Sequence, residues 1–141
     1  MIRALTRLQP WALFLIRLAV GVSMVYHSHD KVFTAESFHS GHYLAPMQNF
    51  NQFVVHLGMP AWLGYISTLT EFIGGILLVL GLLTRFAAFM IAGNMVVAII
   101  TVNVKHGYAG SEYSLALVVM SLMLVVAGSG AFSLDRRLGI S

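Results

Sequence analysis

Ala61–Leu83 reads AWLGYISTLTEFIGGILLVLGLL, and this stretch decides the fold. It is apolar except for one carboxylate, Glu71, and close to the ~20 residues that carry a helix across ~30 Å of hydrocarbon. Thr84 and Arg85 interrupt it, and an apolar run resumes from Phe86 to Val104. So short a break between two spans makes a tight antiparallel hairpin. Upstream, residues 10–27 form another span, opened by Pro10 and Trp11, a helix-starting proline and an interfacial aromatic. Downstream, residues 113–130 form a fourth. The expected fold is an all-α membrane protein, a four-transmembrane-helix bundle, with residues 1–141 as one domain.

Composition agrees. Of 141 residues, 58% are hydrophobic and 9% charged, against roughly 25% charged in a soluble domain. Mean hydropathy is +0.84. The chain has no cysteine, which excludes thiolate catalysis and thiolate metal sites. Its formal charge of +3 comes from basic residues scattered near span ends, which suits membrane orientation and not nucleic-acid binding. No cleavable signal is expected, since the first apolar run follows Arg3 and Arg7 and carries Arg17 at its centre.

Four spans put both termini on one side, together with the Thr84–Arg85 turn. That side holds Arg3, Arg7, Arg85, Arg136 and Arg137, and the other holds Lys31 and Lys105. The excess of basic residues places both termini in the cytoplasm. All six histidines then fall on the outer side or at its boundary. The connection from His27 to Pro60 holds five of them. Within it Met47, Phe50, Phe53, Val54 and Leu57 recur at helical spacing, which predicts a short amphipathic helix on the outer interface.

Arg17 and Glu71 are the charges that need an explanation. An ionisable group at membrane depth persists by pairing, by facing the bundle interior, or by serving a site. At ~1.5 Å per residue, Arg17 lies ~15 Å below His27 and Glu71 ~13.5 Å below Trp62. Asn94 and Ser121 count to the same level. Leu13, Arg17, Gly21 and Met24 share one helix face, as do Gly64, Ser67, Thr68, Glu71, Gly74 and Gly75. Ala87, Ile91, Asn94, Ala98 and Thr101 share a third, and Ser114, Val118, Ser121, Val125 and Gly128 a fourth. Small and polar residues in such stripes mark helix–helix interfaces. The expectation is an Arg17–Glu71 ion pair in the core, with Asn94 and Ser121 completing a polar layer. Such a layer is either structural or the border of a small-molecule cavity.

These residues resemble the DoxX family of small four-span membrane proteins, along nearly the whole chain. The carriers are Arg17-Leu18-x-x-Gly21 with His27 and Lys31; Gly58-Met59-Pro60; Glu71-x-x-Gly74-Gly75-x-x-Leu78-x-x-Gly81-Leu82-x-Thr84-Arg85; Glu112-Tyr113; and Gly128-Ser129-Gly130-x-x-Ser133-Leu134-Asp135. Ser28 stands where the family pattern has glycine, and Ser129 where it has proline. The resemblance implies association with oxidoreductases, including a quinone-linked thiosulfate-oxidising enzyme and a complex with superoxide dismutase and a sulfurtransferase.

Three functional readings stand side by side. In the first, a quinone binds through Arg17, His27, Lys31, Glu71, Asn94 and His106, with histidines carrying protons to the outer face. No haem, flavin or iron–sulfur motif is present, so a redox-enzyme partner would supply electrons. The chain would then be an oxidoreductase subunit without a redox centre of its own, in a bacterial inner membrane. In the second, it is a non-catalytic anchor or assembly partner of an oxidoreductase. In the third, His27, His29, His39 and His42 hold zinc or copper. Small-residue faces also permit a homo-oligomer. At the cytoplasmic boundary, Arg85 and Asp135 are expected to form a rim salt bridge, and Ser133-Leu134-Asp135 reads as a helix-start and turn signal.

Overall fold

A computed structural model describes the backbone of residues 2–140 and their side chains, except those of residues 2–5, 35, 36 and 38. The described residues form helices and turns only. In chain order these are α1 (Ile2–Val32), α2 (Ala35–Ser40), α3 (Ala45–His56), α4 (Ala61–Leu80), α5 (Thr84–Thr101), a 3₁₀ turn (Asn103–His106), α6 (Gly107–Ala127) and α7 (Leu134–Leu138). Among the described residues, α1, α4, α5 and the segment ending in α6 are the four long and apolar enough to cross a membrane. They pack as a ring, α1 on α4, α4 on α5, α5 on α6 and α6 back on α1.

Most of the residues in the stripes read from the sequence are buried, while Ser67, Asn94, Ala98, Thr101 and Val125 are half-buried. Leu13, Arg17, Gly21 and Met24 are buried on α1, and Gly64, Thr68, Glu71, Gly74 and Gly75 on α4. The core between them is apolar, with Val20, Met24, Leu78, Ile91, Leu117 and Leu124 fully enclosed. The opposite faces expose Val22, Ile73, Phe89, Ile100 and Val119, as lipid contact requires. α1 and α4 approach most closely at Gly21 and Gly75. A Cβ on either would lie 2.9 Å from the other's carbonyl oxygen, so only glycine allows the two backbones to come together there.

Element boundaries depart from expectation in two places. α1 continues past His27 to Val32, and within that extension Ser28 is fully buried with its hydroxyl on the Met24 carbonyl at 2.7 Å. α6 begins at Gly107, so Glu112 sits inside the helix and not at its start. The expected amphipathic helix is α3, with Pro46 in its first turn. It packs on α4, where Asn51 lies directly over Gly64.

Candidate functional site

Glu71 and Arg17 do not meet. The Glu71 carboxylate takes Lys31 Nζ at 2.6 Å on Oε2 and Asn94 Nδ2 at 2.9 Å on Oε1. Arg17 instead donates to the Ser129 carbonyl at 2.7 Å and the Phe132 carbonyl at 3.0 Å. The expected ion pair fails for a geometric reason. Depth was counted down from His27, but α1 runs on for more than a further turn. Arg17 therefore sits lower, beside Gly81 at the foot of α4, where an added Cβ would fall on its guanidinium. Gly81 is ten residues beyond Glu71, about 15 Å along the helix. Lys31, expected as a quinone-site donor but not as the partner of Glu71, reaches down from the top of α1 to take the carboxylate. Ser121, expected in the same layer, is fully buried and its Oγ finds no hydrogen-bond partner among the described residues.

Two polar centres result. The lower one is closed. Arg17 is fully buried, and both its bonds end on backbone carbonyls of the turn after α6. Asp135 is not paired with Arg85. Its carboxylate accepts from the Leu83 amide at 2.6 Å and the Thr84 amide at 2.8 Å. Leu83 occupies the cap position of α5 and has no side-chain oxygen to offer, so Asp135 supplies the acceptor that the helix start lacks. Ser133 caps α7 through Arg136 N at 3.2 Å, the helix start its sequence predicted.

The upper centre is open. Glu71 and Lys31 stand in the wall of a cavity of about 580 Å³, and Asn94 and His27 line it as well. α3 forms its roof with Phe50, Phe53, Val54 and Leu57, four of the five residues that predicted the amphipathic helix. Phe50 also covers the Lys31 ammonium, with 4.4 Å from Nζ to the ring centroid. On the far wall Asn103 donates to Ser114 Oγ at 2.6 Å, and the Tyr113 ring lies 6.1 Å from that of His27. The remaining wall is largely aliphatic, with Leu63, Ile66 and Val97 among its residues.

Of the six residues read as a cofactor site, four therefore line one cavity: His27, Lys31, Glu71 and Asn94. Arg17 and His106 do not. Sequence reasoning did not place Asn103 or Tyr113 at the site. Their signal was position, since both flank the short break before the fourth span. The histidines do not assemble. Among the described residues no group of three His, Asp or Glu side chains is placed to hold a metal. His29 pairs with Asp30 at 3.0 Å on an exposed surface, while His27 faces the cavity.

A family profile, DoxX, matches residues 12–104, which takes in Arg17, Lys31, Glu71 and Asn94. The chain belongs to the DoxX family. It is similar to a protein of Bacillus subtilis (strain 168) named "Putative oxidoreductase CatD", at 34% identity over 90 residues, 63% of this chain and 67% of that protein. No solved structure gives a significant match. As a DoxX protein with four membrane-crossing helices, the chain is a multi-pass membrane protein, and the exposed flanks of α4 and α5 face lipid. Ile66 on α4 and Val97 on α5, 45% and 48% exposed, line the cavity along the seam of these two packed helices. Gly93, at the middle of α5, is exposed too, and a Cβ added there would meet nothing within 4 Å. Lower down the same seam is shut, where a Cβ on Gly74 would lie 3.3 Å from Ile91.

Proposed function

We propose that this DoxX protein binds a membrane-dissolved quinone in the cavity beneath α3 and serves as the membrane subunit of an oxidoreductase. The orientation would be that of a bacterial inner-membrane protein with both termini in the cytoplasm, as the basic residues favour. One observation carries the reading: a largely apolar volume of about 580 Å³ with the part-buried Lys31–Glu71–Asn94 cluster at its wall. A quinone needs an apolar slot, donors for its carbonyls, and a route for protons; when bound, it supplies two-electron, two-proton redox chemistry.

The chain's own groups suit those tasks. Lys31 carries three N–H donors and commits one to Glu71, leaving donors for a carbonyl in the cavity. Asn94 likewise keeps one N–H beyond its bond to Glu71. Glu71 neutralises the ammonium, so a neutral headgroup meets donors and no net charge. His27, exposed at the rim, is the proton-exchanging group between the cavity and water. The chain carries no haem, flavin or iron–sulfur motif, so electrons would come from a partner enzyme. The relative's name, an oxidoreductase, supports that placement.

The test is direct binding. Purified protein in lipid nanodiscs should bind a decyl-chain benzoquinone saturably, with thermal stabilisation that tracks occupancy, and organic extracts should hold near-stoichiometric quinone. Folded protein that neither carries quinone nor responds to the added compound would overturn the reading. Co-purification of a soluble redox enzyme without quinone would favour the anchor role instead.

A further inference from the structure

At the opposite end of the bundle lies a second concavity, of about 400 Å³, lined by Thr6, Gln9 and Pro10 of α1, by Arg85, by the 127–130 turn and by Arg136. It is polar, and its charge is of one sign. Arg85 and Arg136 come from the start of α5 and from α7, and both are exposed. Asp135, next to Arg136 in the chain, is buried and already engaged with the Leu83 and Thr84 amides. The ion pairs among the described residues are His29–Asp30 and Lys31–Glu71, so neither arginine has a carboxylate. The concavity is also built and not incidental. Pro10, lacking an N–H, presents its carbonyl to Ala131 N at 2.8 Å. Gly128 at φ +86° lets the turn pass under the Arg85 guanidinium, 3.4 Å from where a Cβ would stand.

Beside it stand three aromatic rings. Trp11 follows Pro10 in the chain, and its ring lies 5.2 Å from Phe132 and 6.4 Å from Phe14. Trp11 is 51% and Phe132 65% exposed, the placement of side chains at a membrane–water boundary. The geometry points to a site for the phosphate of an anionic phospholipid, held by the Arg85 and Arg136 guanidinia with its acyl chains along the Trp11–Phe14 flank. Two forks of N–H donors match phosphate oxygens, and basic pockets between helices at the boundary suit anionic headgroups. The aromatic flank favours a lipid over free phosphate, which shares the same headgroup chemistry. The site is independent of the cavity beneath α3.

The experiment uses the full chain in phosphatidylcholine nanodiscs, titrated with phosphatidylglycerol and read by native mass spectrometry of the released complex. The expected result is one retained phosphatidylglycerol, not displaced by excess inorganic phosphate. Arg85→Gln/Arg136→Gln should weaken retention about thirtyfold, while Arg137→Gln, outside the concavity, should change it less than about threefold. Equal retention of phosphatidylcholine, equal loss in Arg137→Gln, or displacement by inorganic phosphate would each overturn the assignment, the last in favour of free phosphate. If the double variant fails to fold, the lipid comparison and the phosphate competition on the unaltered protein decide the matter.

Discussion

Arg17 at the foot of the bundle and Glu71 at the cavity wall are both buried charges, and they are used in opposite ways. Arg17 spends its donors on the carbonyls of Ser129 and Phe132, so its charge ties the last turn of the chain to α1. Glu71 meets side chains, Lys31 and Asn94, that keep further donors and face open volume. A buried charge satisfied by backbone is a fastening. One satisfied by side chains with spare valence beside a cavity is a place where something else can bind.

Five variants break or sharpen that contrast. The largest effect is expected from Arg17→Met, which strands one buried and one part-buried carbonyl. It should cost about 3–5 kcal/mol of stability, seen as a lowered unfolding temperature in detergent with or without quinone. A smaller cost accompanies Glu71→Gln, about 2 kcal/mol, because Lys31 lies near the top of α1 with its side chain 19% exposed and can retract toward water. Its larger consequence is a roughly tenfold loss of quinone affinity. The double variant Lys31→Met/Glu71→Gln should regain most of the stability, since no charge is stranded, yet stay deficient in binding. Recovery of both together would make the upper centre a fastening like the lower one.

Gly93→Trp acts on access alone. With open space around an added Cβ, stability should hold within about 1 kcal/mol. Binding of a long-tailed quinone should fall while that of a tailless headgroup is kept, measured side by side in nanodiscs. Unchanged binding of both would move the opening away from the α4–α5 seam. The smallest effect belongs to Asn103→Ala, which removes one hydrogen bond to Ser114 at 2.6 Å and should cost about 1 kcal/mol in a thermal melt.

Much of the bundle was legible in the residues. Helical periodicity gave each span its inner face, because small and polar side chains are placed where helices touch and large apolar ones where lipid does. Gly21, Gly75 and Gly74 lie at such contacts. The Met47–Leu57 pattern gave α3 and its apolar side, though not that this side would roof a cavity. The pairing of Glu71 was not legible. It depended on where α1 ends, and a flexible lysine stem spans a turn or more of helix, so residue counting cannot select between Arg17 and Lys31. The roles of Arg17 and Asp135 were hidden for another reason: their partners are backbone carbonyls and amides, which every residue possesses and no motif announces.

Hydrophobicity, its period and the positions of the few charges were thus enough to determine four crossing helices and their inner faces. These follow from the cost of exposing polar groups to lipid, which acts residue by residue. Which charge answers which, and that one centre closes on backbone while the other opens on a cavity, was decided only by how far each helix extends and how its neighbours cross. Those distances belong to the assembled bundle, because they sum the geometry of segments far apart in the chain.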